Sequence, residues 1–242
     1  MRTKLLAALA LLFAMTFPTV AAWSYFLALA GQGGSVNPKQ QAAYIVGKIV
    51  QFVFPLVFLA AIERRWPRLT RPHFRGLRPA LLFGVAVAAL MLGVYFGALR
   101  GTSLLAKTPA MVRHKLEEVN MATPTRYVAL AVFVVAAHSL LEEYYWRWFV
   151  FGGLRQFLSL VPAIVLSSLA FMAHHVIVLY VYLPGRFWAA VLPFSLAIAA
   201  GGAVWAFLYE RNGSLWPPWL SHLLMDAAIF AIGWDLLWPI TA

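Results

Sequence analysis

Long apolar stretches separated by short polar loops constrain this chain more than any other feature of its sequence. Of its 242 residues, 63% are hydrophobic and only 11% are charged. Soluble domains carry roughly 45–50% apolar and about 25% charged residues. Inside a bilayer only helices and closed barrels satisfy their own backbone hydrogen bonds, and a helix needs about 20 apolar residues to cross. The sequence therefore predicts an all-α, polytopic transmembrane helix bundle.

The apolar stretches predict about seven spans in a single transmembrane domain of residues 1–242, or eight if residues 148–160 re-enter the bilayer. The first stretch is roughly 26 residues long, which favours an uncleaved helix over a signal peptide. The fourth helix can continue beyond residue 147 towards residue 153. The predicted spans are residues 5–30, 42–62, 79–99, 125–147, 161–183, 187–209 and 215–238.

The charge pattern indicates membrane topology rather than nucleic-acid binding, although the formal net charge is +11. The positive residues cluster in loops between apolar stretches, and clusters of this kind mark cytoplasmic loops. The loop of residues 63–78 contains six arginines, so we expect it and the N-terminus on the cytoplasmic side. The chain has no cysteine, which excludes a thiol nucleophile and a thiolate metal site.

A small set of ionisable residues falls inside the predicted spans. A charge in the middle of a transmembrane helix costs ~2.5–3.5 kcal/mol on insertion scales, so each such group is a functional candidate. Asp235 lies near the end of the last span, and we expect it to be solvated. The set comprises His138, Glu142, Glu143, Arg147, His174, His175, His222, Asp226 and Asp235.

Helical spacing sorts the charges of the fourth span. Glu143 and Arg147 are four residues apart and share a face, so they can form an ion pair. Glu142 points about 100° away from Glu143 on a regular helix. Its neighbour at four residues is His138. The spacing predicts that Glu143 and Arg147 support the structure, and that Glu142 faces a cavity as a candidate general base.

The fifth and seventh spans each add a polar stripe. His222 and Asp226 share one face of the seventh span, and Phe171 and His175 share one face of the fifth. His174 points elsewhere. A single histidine in a span is often only a helix–helix hydrogen-bonding group, and an ion pair can serve packing alone. The combination of carboxylates and histidines on three helices favours a functional pocket.

Three motifs in separate spans resemble the CAAX-protease and bacteriocin-processing family of intramembrane endopeptidases. Two features depart from the motif pattern of the prenyl endopeptidases. Position 226 is Asp where they have Asn, and His174 competes with His175 for the second motif. The resemblance covers roughly residues 128–230, within a predicted protease-like core of residues 125–238. The motifs are EExxxR at Glu142–Arg147, FxxxH at Phe171–His175 and a histidine with an acidic residue four positions later at His222–Asp226.

The resemblance implies hydrolysis of a peptide bond by an activated water. Glu142 and His175 would activate the water, and His222 with Asp226 would stabilise the oxyanion or protonate the leaving amine. Four further residues are expected to support this catalytic set: Glu143, Arg147, His174 and His138.

The resemblance also implies an integral protein of the bacterial inner membrane that acts on a membrane-anchored protein or peptide. We expect no cofactor. The alternative is a zinc-dependent version of the same protease, with Glu142, His175 and His222 as ligands. A non-enzymatic membrane protein, either a transporter or an immunity or secretion-system component, is the other alternative. A lipid-modifying transferase has little support, because the sequence has no phosphate-binding loop.

Overall fold

The computed structural model of the protein describes residues 2–30, 37–63 and 75–239. Throughout these residues the regular structure is helical, and they contain no strand. Seven helices within these ranges are long and apolar enough to cross a membrane. The predicted all-α transmembrane bundle is therefore confirmed, and its count of seven spans is the one predicted.

One short helix lies between the third and fourth spans. We number the helices α1 to α8 in chain order. They are α1 (Lys4–Ala28), α2 (Pro38–Ile62), α3 (Leu77–Leu99), the short α4 (Thr108–Glu118), α5 (Pro124–Leu154), α6 (Leu160–Tyr182), α7 (Phe187–Asn212) and α8 (Trp216–Leu237).

Several helices begin at residues that suit a helix start. At the start of α2, the side chain of Asn37 accepts hydrogen bonds from the backbone N–H groups of Lys39 and Gln40. This cap satisfies donors that have no partner within the helix. Proline occupies the first turn of α2, α4, α5 and α8. Its missing N–H costs nothing there, because that group would be unpaired anyway.

Helix α5 lies at the centre of the bundle. It contacts α1, α2, α6, α7 and α8. Its segments Phe133–His138 and Tyr144–Phe151 are wound as wider π-helical turns, which occur often at functional sites. The side chains of Tyr145, Val150 and Phe151 are completely buried. The helix that carries both glutamates is thus the one around which the other spans pack.

Residues 148–154 extend α5 as part of the same helix. The re-entrant segment that would have added an eighth span at residues 148–160 is therefore absent from the described structure. Four of the six arginines predicted to mark a cytoplasmic loop lie outside the described residues. These arginines are Arg64, Arg65, Arg68 and Arg71.

The prediction that Asp235 is solvated is wrong, because its side chain is buried between α3 and α8. Its carboxylate accepts a 2.6 Å hydrogen bond from the hydroxyl of Tyr95. The guanidinium of Arg100 donates to both carboxylate oxygens, at 2.9 Å and 2.8 Å. A bidentate arginine contact of this kind provides charge balance and directional bonds together. Asp235 therefore links the ends of two spans.

Helices α3 and α8 pack closely along their lengths. On α3, the small residues Ala80 and Gly84 are buried at a spacing of four. A Cβ atom added to Gly84 would lie 2.9 Å from the Cα of Ser221 and 2.8 Å from the Cδ1 of Leu224. Small residues at such positions allow the backbones of transmembrane helices to approach. Because Ser221 precedes His222, this contact sets the position of a candidate site residue.

Substitution of Gly84 by alanine is expected to lower stability, because the new methyl group has no room against the backbone of α8. Overpacking of this kind costs about 1–3 kcal/mol. Thermal unfolding in detergent measures the effect.

Gly93→Ala is the matched control on the same helix, since nothing lies within 4 Å of a Cβ added there. It should leave the melting temperature unchanged or raise it, because alanine favours helix by ~1 kcal/mol over glycine. Equal melting temperatures for the two variants would contradict the close α3–α8 contact.

Candidate active site

The imidazole of His222 on α8 lies between the two adjacent glutamates of α5. Its Nδ1 is 2.7 Å from Oε1 of Glu143, and its Nε2 is 3.6 Å from Oε2 of Glu142. An ionised carboxylate only accepts hydrogen bonds, so we assign a proton to Nδ1. Nε2 is then the atom that can exchange a proton with groups on the Glu142 side. The sequence predicted that these helices face one pocket, and the structure brings them together there.

Glu143 and Arg147 form the predicted ion pair. Nη1 of Arg147 is 3.2 Å from Oε1 of Glu143, and both side chains are almost fully buried. The guanidinium also lies over the rings of Phe171 and Trp205, at 4.6 Å and 4.8 Å from their centroids. Cation–π contacts of this kind are strongest where the cation is desolvated. Glu143 thus connects a buried cation to His222, a contact that spacing within α5 could not reveal.

Three imidazoles surround Glu142, whose side chain is also buried. Its Oε1 is 3.5 Å from Nε2 of His138 and 3.9 Å from Nε2 of His174. With Nε2 of His222 on the other oxygen, each separation is longer than a direct hydrogen bond. Glu142 is thus close to several proton-carrying groups, and none of them holds it in a tight pair.

The two adjacent histidines of α6 have different surroundings. Nδ1 of His175 is 2.9 Å from the backbone carbonyl of Phe171, so this nitrogen carries the proton and Nε2 has the free lone pair. His174 stacks on the indole of Trp146, and its buried Nδ1 has no partner in the described part of the chain. Within the described part of the chain, Nε2 of His174 comes within 4 Å of the Glu142 carboxylate and the ring of His175 does not. His175 still lies within electrostatic range of Glu142.

Asp226 and Trp205 complete the surroundings of His222. Oδ1 of Asp226 is 3.7 Å from Nε2 of His222, as the four-residue spacing predicted. The indole of Trp205 stacks on the imidazole with a centroid separation of 4.1 Å and an interplanar angle of 15°. The ring of His222 is therefore held on its Nδ1 edge by Glu143 and on one face by Trp205. The sequence offers no signal for Trp205, which is one of ten tryptophans.

The zinc alternative requires donor atoms of Glu142, His175 and His222 to converge on one point. Over residues 2–30, 37–63 and 75–239, no three His, Asp or Glu side chains are grouped as a metal ion requires. The donor types would suit zinc, but their arrangement in the structure does not fit it.

Lys48 on α2 is a charged residue near the site that the sequence reasoning missed. It lies within electrostatic range of Glu142, His174 and His175. The signal was available, because Lys48 falls inside the predicted second span and carries the same insertion cost as the other charges.

Comparison with known protein families agrees with the motifs. Residues 124–228 match the family described as Type II CAAX prenyl endopeptidase Rce1-like. No curated protein and no solved structure matches the chain at a significant level. The matched region begins at the start of α5 and contains all three motifs. Residues 124–228 therefore match the CAAX-protease family, and the resemblance predicted from the motifs is confirmed.

Proposed function

We propose that the protein is an intramembrane endopeptidase that hydrolyses a peptide bond of a membrane-associated protein or peptide. The main support is the arrangement of Glu142 and Glu143 on either side of His222, deep in a bundle of apolar helices. Ionisable groups at this depth are costly, and here several of them surround one carboxylate that has no tight partner. The family match over residues 124–228 supports a protease of the CAAX type.

Glu142 acts as the general base, and His175 helps to hold the attacking water. The carbonyl of Phe171 fixes the tautomer of His175, so Nε2 can accept a hydrogen bond from that water. Glu142 takes a proton from the water while the oxygen of the water forms a bond to the scissile carbonyl carbon. General base catalysis by a positioned side chain contributes typically ~10²–10⁴-fold to the rate. His174 is the alternative to His175 as the histidine that holds the water.

His222 stabilises the oxyanion and assists the departure of the amine. With Nδ1 bonded to Glu143, a proton on Nε2 is directed towards Glu142 and Asp226, where the tetrahedral intermediate would form. Donation to an oxyanion of this kind is worth roughly 2.7–4 kcal/mol. As the C–N bond breaks, the amine nitrogen takes the proton from Nε2 of His222. Glu142 then passes the proton that it took from the water to Nε2, which restores the starting state. An ionised Asp226 accepts hydrogen bonds only, so its role is to orient His222.

Four further residues keep the reacting groups in position. Glu143 orients His222, Arg147 balances the charge of Glu143, and His138 and His174 flank Glu142. All of them belong to a protease-like core of residues 125–238 within one transmembrane domain. We further propose that the N-terminus is cytoplasmic and that the protein resides in the inner membrane of a bacterium, which is consistent with the arginine-rich loop.

A transporter or an immunity or secretion-system component is the alternative without enzymatic activity, because buried charges also form proton relays. The close placement of a carboxylate, three imidazoles and a second carboxylate favours hydrolysis over a relay, which would extend across the membrane.

Glu142→Gln should abolish hydrolysis and leave the protein folded, because the amide keeps the shape of the carboxylate and cannot take a proton from water. We expect a rate at least ~10²-fold lower. Mass spectrometry of peptides from membranes that contain either the wild type or the variant measures the products. Glu117→Gln, an exposed glutamate on α4, is the control and should leave the products unchanged. Full activity of Glu142→Gln would overturn the proposal.

Arg147→Met should destabilise the protein, because it leaves the charge of Glu143 without its cation. Breaking a buried pair in this way costs about 3–5 kcal/mol. The double variant Glu143→Gln/Arg147→Met should recover part of this stability, since no charge remains uncompensated. It should stay inactive, because Nδ1 of His222 no longer contacts a carboxylate. Thermal unfolding and product analysis test both points, and a double variant no more stable than Arg147→Met would contradict them.

Removal of metal ions distinguishes the proposed metal-free mechanism from the zinc-dependent version. Protein treated exhaustively with chelator and verified as metal-free is expected to keep its hydrolysis rate. Elemental analysis and the product assay, performed on the same sample, provide the measurement. Loss of activity that zinc alone restores would establish the zinc-dependent version instead.

A further inference from the structure

Lys48 is a cation in the middle of the membrane-spanning part of α2. It lies ten residues after Pro38 and fourteen before Ile62, which corresponds to about 15 Å and 21 Å along the helix. Its Nζ is 3.5 Å from Oε1 of Gln51 and lies over the rings of Tyr44 and Phe52, at 5.9 Å and 5.6 Å from their centroids. An ammonium group has three donors. Across the described residues, Lys48 therefore has one long hydrogen bond, two ring contacts and no ion pair.

Gln51 adds a second donor at the same place. Its side chain is 3% exposed, and its Nε2 has no hydrogen-bond partner in the described part of the chain. A buried donor without a partner costs about 1–3 kcal/mol, so buried amides are normally satisfied. Oε1 of Gln51 is directed to Lys48, which leaves the amide N–H groups available. Apart from this bond, the two side chains present donors that have no acceptor in the described part of the chain.

This pair is next to the candidate catalytic groups. The ring of Phe52, over which Lys48 lies, meets the ring of His138 edge-on at a centroid separation of 5.8 Å. His138 in turn lies 3.5 Å from Glu142. Lys48 is also within electrostatic range of Glu142 and of both histidines of α6. A ligand bound by Lys48 and Gln51 would therefore extend towards Glu142.

We propose that Lys48 and Gln51 form a subsite that binds a carboxylate of the substrate peptide, beside the bond to be hydrolysed. This inference rests on the proposed function, because it identifies the group that the same site recognises. A carboxylate supplies acceptors to both side chains and balances the charge of Lys48. In a medium of low dielectric, such a charge-assisted pair is far stronger than in water. The carboxylate comes either from the C-terminus of the peptide or from an acidic side chain.

Capture of synthetic peptides by the full chain in lipid nanodiscs tests the subsite. The probe is a randomised pool of apolar peptides, prepared with a C-terminal acid or amide and, separately, with Glu or Gln at one internal position. Mass spectrometry counts intact and cleaved peptides together. We expect the wild type to enrich one carboxylate form about ten- to a hundredfold over its neutral counterpart, the range for a hydrogen bond to a charged group. The acid–amide pair reports a terminal carboxylate, and the Glu–Gln pair reports a side chain.

Variants identify the residue responsible for this preference. Lys48→Met should abolish the enrichment, Lys48→Arg should retain part of it, and Gln51→Leu should reduce it. Lys39→Met removes the same charge from the exposed start of α2 and is expected to leave the enrichment intact. Equal capture of charged and neutral peptides by the wild type would overturn the proposal and requires no variant. So would a preference that persists in Lys48→Met, which would mean that Lys48 only balances the charge of Glu142.

The subsite and the protease can fail separately. Capture that depends on charge without any cleaved peptide would leave the subsite standing and count against hydrolysis. Cleavage without a charge preference would support hydrolysis and overturn the subsite.

Discussion

The site depends on one interaction, the contact of the His222 imidazole with two neighbouring carboxylates. Adjacent residues of a helix point about 100° apart, so a single ring can meet both only from a second helix that packs close to the first. Nδ1 meets Glu143 at 2.7 Å, and Nε2 faces Glu142 at 3.6 Å. The two nitrogens therefore have different tasks. One fixes the ring, and the other remains available for proton transfer.

The surrounding helices supply the charge balance and the rigidity that this contact requires. Arg147 lies against Glu143 and over the rings of Phe171 and Trp205, and Trp205 also stacks on His222. A Cβ at Gly202 would be 3.4 Å from Nη2 of Arg147, so the guanidinium occupies the space that this glycine leaves. Helix α7 carries none of the motifs, yet it holds both the cation and the imidazole in place.

The sequence predicts what depends on spacing within one helix and misses what depends on contacts between helices. The seven spans follow from apolar length, and the Glu143–Arg147 and His222–Asp226 contacts follow from the helical repeat. The contact of Glu143 with His222 could not be predicted, since nothing in either span encodes their relative height. Asp235 was wrongly expected to be solvated, because its partners Tyr95 and Arg100 lie more than 130 residues away in the chain.

The cost of a charge in the membrane identifies candidates, but the way each charge is satisfied separates structural residues from functional ones. Asp235 receives strong hydrogen bonds from Tyr95 and Arg100, so its charge joins two helices. Glu142 has only longer contacts, and the Nε2 donors of Gln51 have none in the described part of the chain. Incomplete satisfaction is tolerated only where the rest of the fold stabilises it or where a ligand completes it. Glu142 lies beside His138, whose ring contacts the ring of Phe52, and Phe52 follows Gln51 in α2, so we expect a single bound peptide to complete both.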